Sequence, residues 1–163
     1  MNKRRAEDRM STRSIIAKKT DGGFVGTYHH FSGYPSGIGE IVAKGFNQNG
    51  WKYVDYVLEH NWSNLDDGFW YCCGTMRDGR REPYITHTNE KSSGAEWAYV
   101  FDKVRSLSGK TVNLMHIYEY RPENEPKQFA PSDWVLVKTI NLEDPLPDFA
   151  FLENEILSDA YHG

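Results

Sequence analysis

Ser14-Ile15-Ile16-Ala17-Lys18-Lys19-Thr20-Asp21-Gly22-Gly23-Phe24-Val25-Gly26-Thr27-Tyr28-His29-His30 is two β-rich runs folded about a turn. Asp21-Gly22-Gly23 accepts the positive φ that a tight hairpin needs, so residues 14–19 and 24–30 are predicted to pair antiparallel. The hairpin then enters Phe31-Ser32-Gly33-Tyr34-Pro35-Ser36-Gly37-Ile38-Gly39, where the hydrophobic period changes. From there Ile38, Ile41, Val42 and Phe46 recur at three- and four-residue spacing, the stripe of a helix with one buried face. Pro35 suits a first helical turn, where its missing N–H is not needed, and Ser36 is a candidate cap. Asn47-Gln48-Asn49-Gly50 stops that helix, and Trp51, Val54, Val57 and Leu58 form a second stripe ending at His60-Asn61. Two helices joined so briefly should form an αα-hairpin.

Downstream the signals are those of strands. Residues 69–75 and 84–88 flank Arg77-Asp78-Gly79-Arg80, a second hairpin turn. Residues 97–102, 111–120 and 133–140 read as further strands, with Val112, Leu114, His116, Tyr118 and Tyr120 on one face of the second. From Asn141 onward the chain carries six acids and no Lys or Arg, and Phe149, Phe151, Leu152, Ile156 and Leu157 can pack as a terminal helix. The expected architecture is α+β: a mostly antiparallel sheet with a two-helix insertion, the αα-hairpin, packed on one face. The division is a disordered basic leader over residues 1–9 and one domain over 10–163 with an acidic C-terminal segment.

At 163 residues, 39% hydrophobic and 14% aromatic, the chain is long enough for one domain with a real core. No run of about 18 apolar residues is present, so no membrane-spanning helix is expected. The start lacks an apolar signal core, so export is not expected. Cys72 and Cys73 are adjacent and would point to opposite faces of a strand, which reads as reduced thiols in a cytoplasm. The net charge of −4 is uneven: residues 1–19 hold seven Lys/Arg against Glu7 and Asp8, +5, and the remainder holds twelve basic against twenty-one acidic residues, −9. An acidic body repels phosphate backbones, so nonspecific nucleic-acid binding is disfavoured.

The Ser11-Thr12-Arg13-Ser14-x-Ile16-Ala17 opening and the Tyr28-x-His30-x-x-Gly33-Tyr34-Pro35-x-Gly37-x-Gly39 corner resemble a group of small phage and prophage proteins. Gly94-Ala95-Glu96-Trp97-Ala98-Tyr99-Val100-Phe101 is similar to a later strand of that group. The group shows a His-x-Asp-Gly-Tyr-Pro corner, and this chain has Ser32 where the group has Asp. The resemblance implies a phage-type accessory protein made in the cytoplasm of a bacterial host, and it transfers no chemistry.

The candidate binding residues fall in two places. One is the corner, with His29, His30, Tyr34, Ser36 and Gly37, where imidazoles, an aromatic and helix-start N–H groups come together. The other is the second hairpin turn, where Arg77, Arg80 and Arg81 lie near Phe69, Trp70 and Tyr71, a pairing suited to a phosphate, a base or an acidic protein surface. No catalytic residue is assigned. His30-Phe31-Ser32 has the His-x-Ser form of phosphoesterases that pair two such units, but His87-Thr88-Asn89 and His116-Ile117-Tyr118 do not supply the second. Ser36-Gly37-Ile38-Gly39 lacks the Gly-Lys-Ser/Thr of a P-loop, and the remaining His and Cys lack ligand spacing, so no cofactor or metal is expected.

The expectation is a non-catalytic binding protein that blocks a host bacterial factor, its partner a host protein or a nucleotide-like small ligand. Two alternatives stay open. One is a His-dependent phosphodiesterase or nucleotide hydrolase with His30 as base, and the other is a homo-oligomeric assembly module joined through strand edges.

Overall fold

A computed structural model describes residues 12–21, 23–29, 32–60, 85–87, 95–121 and 133–162. The first hairpin forms as expected: β1 (Ser14–Thr20) pairs antiparallel with β2 (Gly23–His29), from Ser14 opposite His29 to Thr20 opposite Gly23. Pro35–Gly39 is a wide turn of π-helix that runs directly into α1 (Glu40–Asn49), and α2 (Trp51–His60) follows after Gly50. Strands β3 (Ile85–His87), β4 (Trp97–Arg105), β5 (Thr111–Tyr120) and β6 (Trp134–Asn141) complete a sheet of order β3-β2-β1-β4-β5-β6. Helix α3 (Phe149–His162) closes the chain.

The α+β expectation holds: the sheet is antiparallel except where β1 lies parallel to β4, Ser14 opposite Trp97 through Lys18 opposite Phe101. A parallel neighbour requires a long crossover, which the helical segment after the first hairpin begins. Strand 69–75 and the Asp78-Gly79 turn lie outside the described residues.

Strand alternation sorts the sheet's residues onto two faces. On one, Ile16, Tyr99, Phe101, Met115 and Ile117 are buried under Val42, Phe46 and Val54 of the helix pair and Leu152 and Ile156 of α3. Phe46 stacks on Phe101 at a centroid distance of 5.5 Å, and Trp51 meets both rings edge-on. On the other face Ile15, Ala17, Phe24, Ala98, Val100 and Trp134 form a second cluster, with Phe24 5.6 Å from Tyr118 and 5.8 Å from Trp134. Side chains of this size each contribute about 1.5–3 kcal/mol when fully buried. The alternation read in residues 111–120 is the observed one, since Tyr118 and Tyr120 pack against the second cluster.

Candidate functional site

The corner that follows β2 is drawn tight by close backbone approaches. Gly33 N–H donates to the Thr12 carbonyl at 2.8 Å, and a Cβ on Gly33 would stand 2.8 Å from Ser14 Cβ. A Cβ on Gly39 would stand 2.9 Å from the ring of Tyr99, so the helix start can lie on β4 only with glycine there. The buried Tyr99 hydroxyl donates to the Gly33 carbonyl at 2.6 Å. Burial pushes the Tyr99 pKa well above the ordinary tyrosine value, and the carboxylates of Glu153 and Glu119 push it the same way.

Helix-start donors are the usual anion cradle, and here an internal anion fills it. Glu153 of α3 accepts the Ser36 N–H at 3.0 Å and the Ser36 hydroxyl at 2.9 Å on the same Oε1. The neighbouring donors are also used: Gly37 and Gly39 N–H reach the Tyr34 carbonyl at 2.9 and 3.4 Å, and Ile38 N–H reaches the Ser32 carbonyl at 2.9 Å. Tyr34, rather than Ser36, occupies the cap position, with no side-chain cap bond, and Pro35 takes the first turn as expected. Ser36 instead sits at the second helical position, where its hydroxyl faces α3.

The structure places the sequence-predicted residues unevenly. His29 is 2% exposed, on the sheet face it shares with Ser14 and under the helices. Tyr34 and Ser36 are half-buried and Gly37 is buried, so these residues are together at the corner but spent on its packing. His30, Arg77, Arg80 and Arg81 lie outside the described residues. Ser32 has φ +52°, a left-handed conformation. Short polar Asp and Asn tolerate that region better than other non-glycine residues do.

Sequence reasoning missed a polar chain on the opposite face of the sheet. His116 of β5 has Nε2 2.9 Å from Asp102 Oδ2 on β4 and Nδ1 2.9 Å from Thr139 Oγ1 on β6. The Tyr118 ring lies 6.4 Å from the imidazole, and its pKa is raised by burial and then by the Asp102 carboxylate. An acid–imidazole–hydroxyl order is the one that orients a base toward a hydroxyl. The signal was the register, with His116 opposite Val100 and Thr139, which no local pattern encodes. Among the described residues no group of three or more His, Cys, Asp or Glu is arranged to hold a metal ion, and no helix is long and apolar enough to cross a membrane.

Compared with protein-family models, with curated proteins and with solved structures, the chain matches none.

Proposed function

We propose that this chain is a non-catalytic accessory protein of phage type that works in the cytoplasm of a bacterial host by binding and blocking a host factor. The observation that carries this reading is the Ser36–Glu153 contact. At the corner where an anion or substrate would be expected, the helix-start donors are already held by a carboxylate of the same chain. With His29 buried on β2, the corner serves the fold, and recognition falls to exposed surface. Exposed apolar side chains such as Tyr56 and Leu136 are the kind of anchor that protein interfaces use.

The test is a pull-down of the full chain from bacterial host lysate, read for proteins and small molecules, beside melting curves with a nucleotide panel at fixed protein concentration. A stoichiometric host protein, or a nucleotide that raises Tm and is recovered unchanged, supports the reading. Turnover of that nucleotide overturns it.

A second reading, hydrolysis that depends on a histidine, draws on the Asp102–His116–Thr139 chain. It requires turnover of a phosphodiester or ester probe that disappears in His116→Asn.

A further inference from the structure

Strands β4 and β5 outrun their neighbours. The β1 ladder reaches only Phe101 of β4 and the β6 ladder starts at Leu114 of β5, yet β4 and β5 pair on to Arg105 opposite Thr111. The end of this hairpin is a two-stranded ribbon projecting past the sheet. Its tip is ordered: Ser106 N–H donates to the Lys110 carbonyl at 2.8 Å, Gly109 takes φ +86°, and Arg105 Nε donates to the Gly109 carbonyl at 3.3 Å. Lys103, Arg105 and Lys110 are exposed, with no carboxylate between residues 103 and 118. Leu107 at the apex is wholly exposed, and Val104 is exposed beside it. The ribbon is a cationic finger with an apolar end on an acidic protein.

The complementary surface is on α3. Among residues 149–159 of this helix, Phe149, Leu152, Glu153 and Ile156 are buried, a single stripe at three- and four-residue spacing. Phe151 points the other way and is 64% exposed, with Glu155 one turn further along and Asp159 one turn beyond that. No Lys or Arg follows Lys138. Three of the six exposed large hydrophobic residues among those described, Val104, Leu107 and Phe151, lie on these two surfaces.

The two surfaces lie toward opposite ends of the domain. Glu153 contacts Ser36 at the corner, and the corner packs on Ser14 and Tyr99, near the start of β4. The ribbon leaves from the far end of that strand, about 20 Å away at 3.3 Å per residue. One molecule cannot bring its own finger onto its own helix, but two copies can. We infer that copies of this chain associate head to tail, the basic apolar tip of the β4–β5 hairpin of one seated on the acidic outer face of α3 of the next. A second copy is the favoured occupant because every chain carries both the basic tip and the acidic helix face, each with an exposed apolar anchor. The contact is heterologous, so it extends into open rows or closes as a ring. It is small, so it is a weak interface that strengthens at low salt. This inference stands apart from the host-factor reading and does not depend on it.

Sedimentation velocity on the full chain, from micromolar to millimolar concentration at low and high salt, tests it. Two surface variants accompany the wild type: R105S/L107S/K110S on the tip and F151S/E155Q/D159N on the helix, each checked for unchanged circular dichroism and Tm. The expected result is wild-type association beyond the dimer that grows with concentration and weakens at least about tenfold in high salt. Each variant alone is monomeric, and their equimolar mixture stops at a heterodimer, because one intact tip meets one intact helix and the other two faces are dead. A wild type that stays monomeric at millimolar concentration overturns the inference. So does association that survives in either variant, or a mixture that remains monomeric.

Discussion

Glu153 Oε1 accepts both the backbone N–H and the hydroxyl of Ser36, at 3.0 and 2.9 Å, across 117 residues of sequence. The pair ties the C-terminal helix to the first turn of the helical segment and places negative charge where the helix dipole favours it.

Glu153→Ala should therefore lower stability by about 1–3 kcal/mol, because it strands a half-buried N–H and hydroxyl together. Glu153→Gln keeps an acceptor oxygen and loses only the charge, so it should cost less than the alanine. Urea midpoints of the two variants check the ranking. A double-mutant cycle with Ser36→Ala should show non-additivity of at least about 0.5 kcal/mol. Equal losses for the alanine and glutamine variants would assign the effect to charge alone.

What could be read from the chain was local. The first hairpin, the helical stripe after Pro35, the stop at Gly50 and the alternation over 111–120 each need only a few neighbouring residues, and each appears where it was read. The parallel pairing of β1 with β4 is different, since it joins Ser14 to Trp97 across a segment whose own pattern says nothing about which strand edge it returns to. The Asp102–His116–Thr139 chain depends on the register of three strands, and a one-residue slip would send each side chain to the opposite face. At the corner, the residue types that suggested a site, glycines and a serine at a helix start, are also those that close packing against Tyr99 and Glu153 demands. Composition cannot separate the two uses, and only the position of Glu153 does.

Ser32 carries φ +52° without the relief that glycine or asparagine would give. Ser32→Gly and Ser32→Asn should each raise stability, by about 0.5–1 kcal/mol, and a β-branched Ser32→Val should lower it by about 1–2 kcal/mol. Thermal melts of the three variants decide. If Ser32→Asn melts below the wild type, the left-handed backbone is not what this position selects for.

Gly50 joins α1 to α2 at φ +67° and ψ −150°, with nothing within 4 Å of where a Cβ would stand. The obstacle to a side chain there is the backbone conformation, which is essentially glycine-only, and not a clash. Gly50→Ala and Gly50→Asn should each cost about 1–3 kcal/mol, since asparagine's tolerance of positive φ belongs to the αL region and not to this one. Midpoints in urea with unchanged m-values would place the loss in the native turn.

Tyr99 donates to the Gly33 carbonyl from full burial, and that burial, with Glu153 and Glu119 behind it, holds its pKa well above the usual tyrosine value of about 10. Above that ordinary value the unfolded chain releases the phenolic proton while the native protein keeps it. Stability from this group is therefore complete below about pH 10 and falls as pH rises further, with a slope approaching about 1.4 kcal/mol per pH unit. Tyr118 is shifted in the same direction, so the wild-type slope contains both residues. Tyr99→Phe keeps the ring against Gly39 but removes the titration and the hydrogen bond. It should be less stable than wild type at neutral pH by about 1 kcal/mol and should lose less on going alkaline. Urea midpoints for both proteins from neutral pH to about pH 11 test this, since native and unfolded states then bracket the ordinary tyrosine titration. Parallel alkaline limbs would show that Tyr99 ionises in the native state as readily as in the unfolded one, and that the corner is open to solvent.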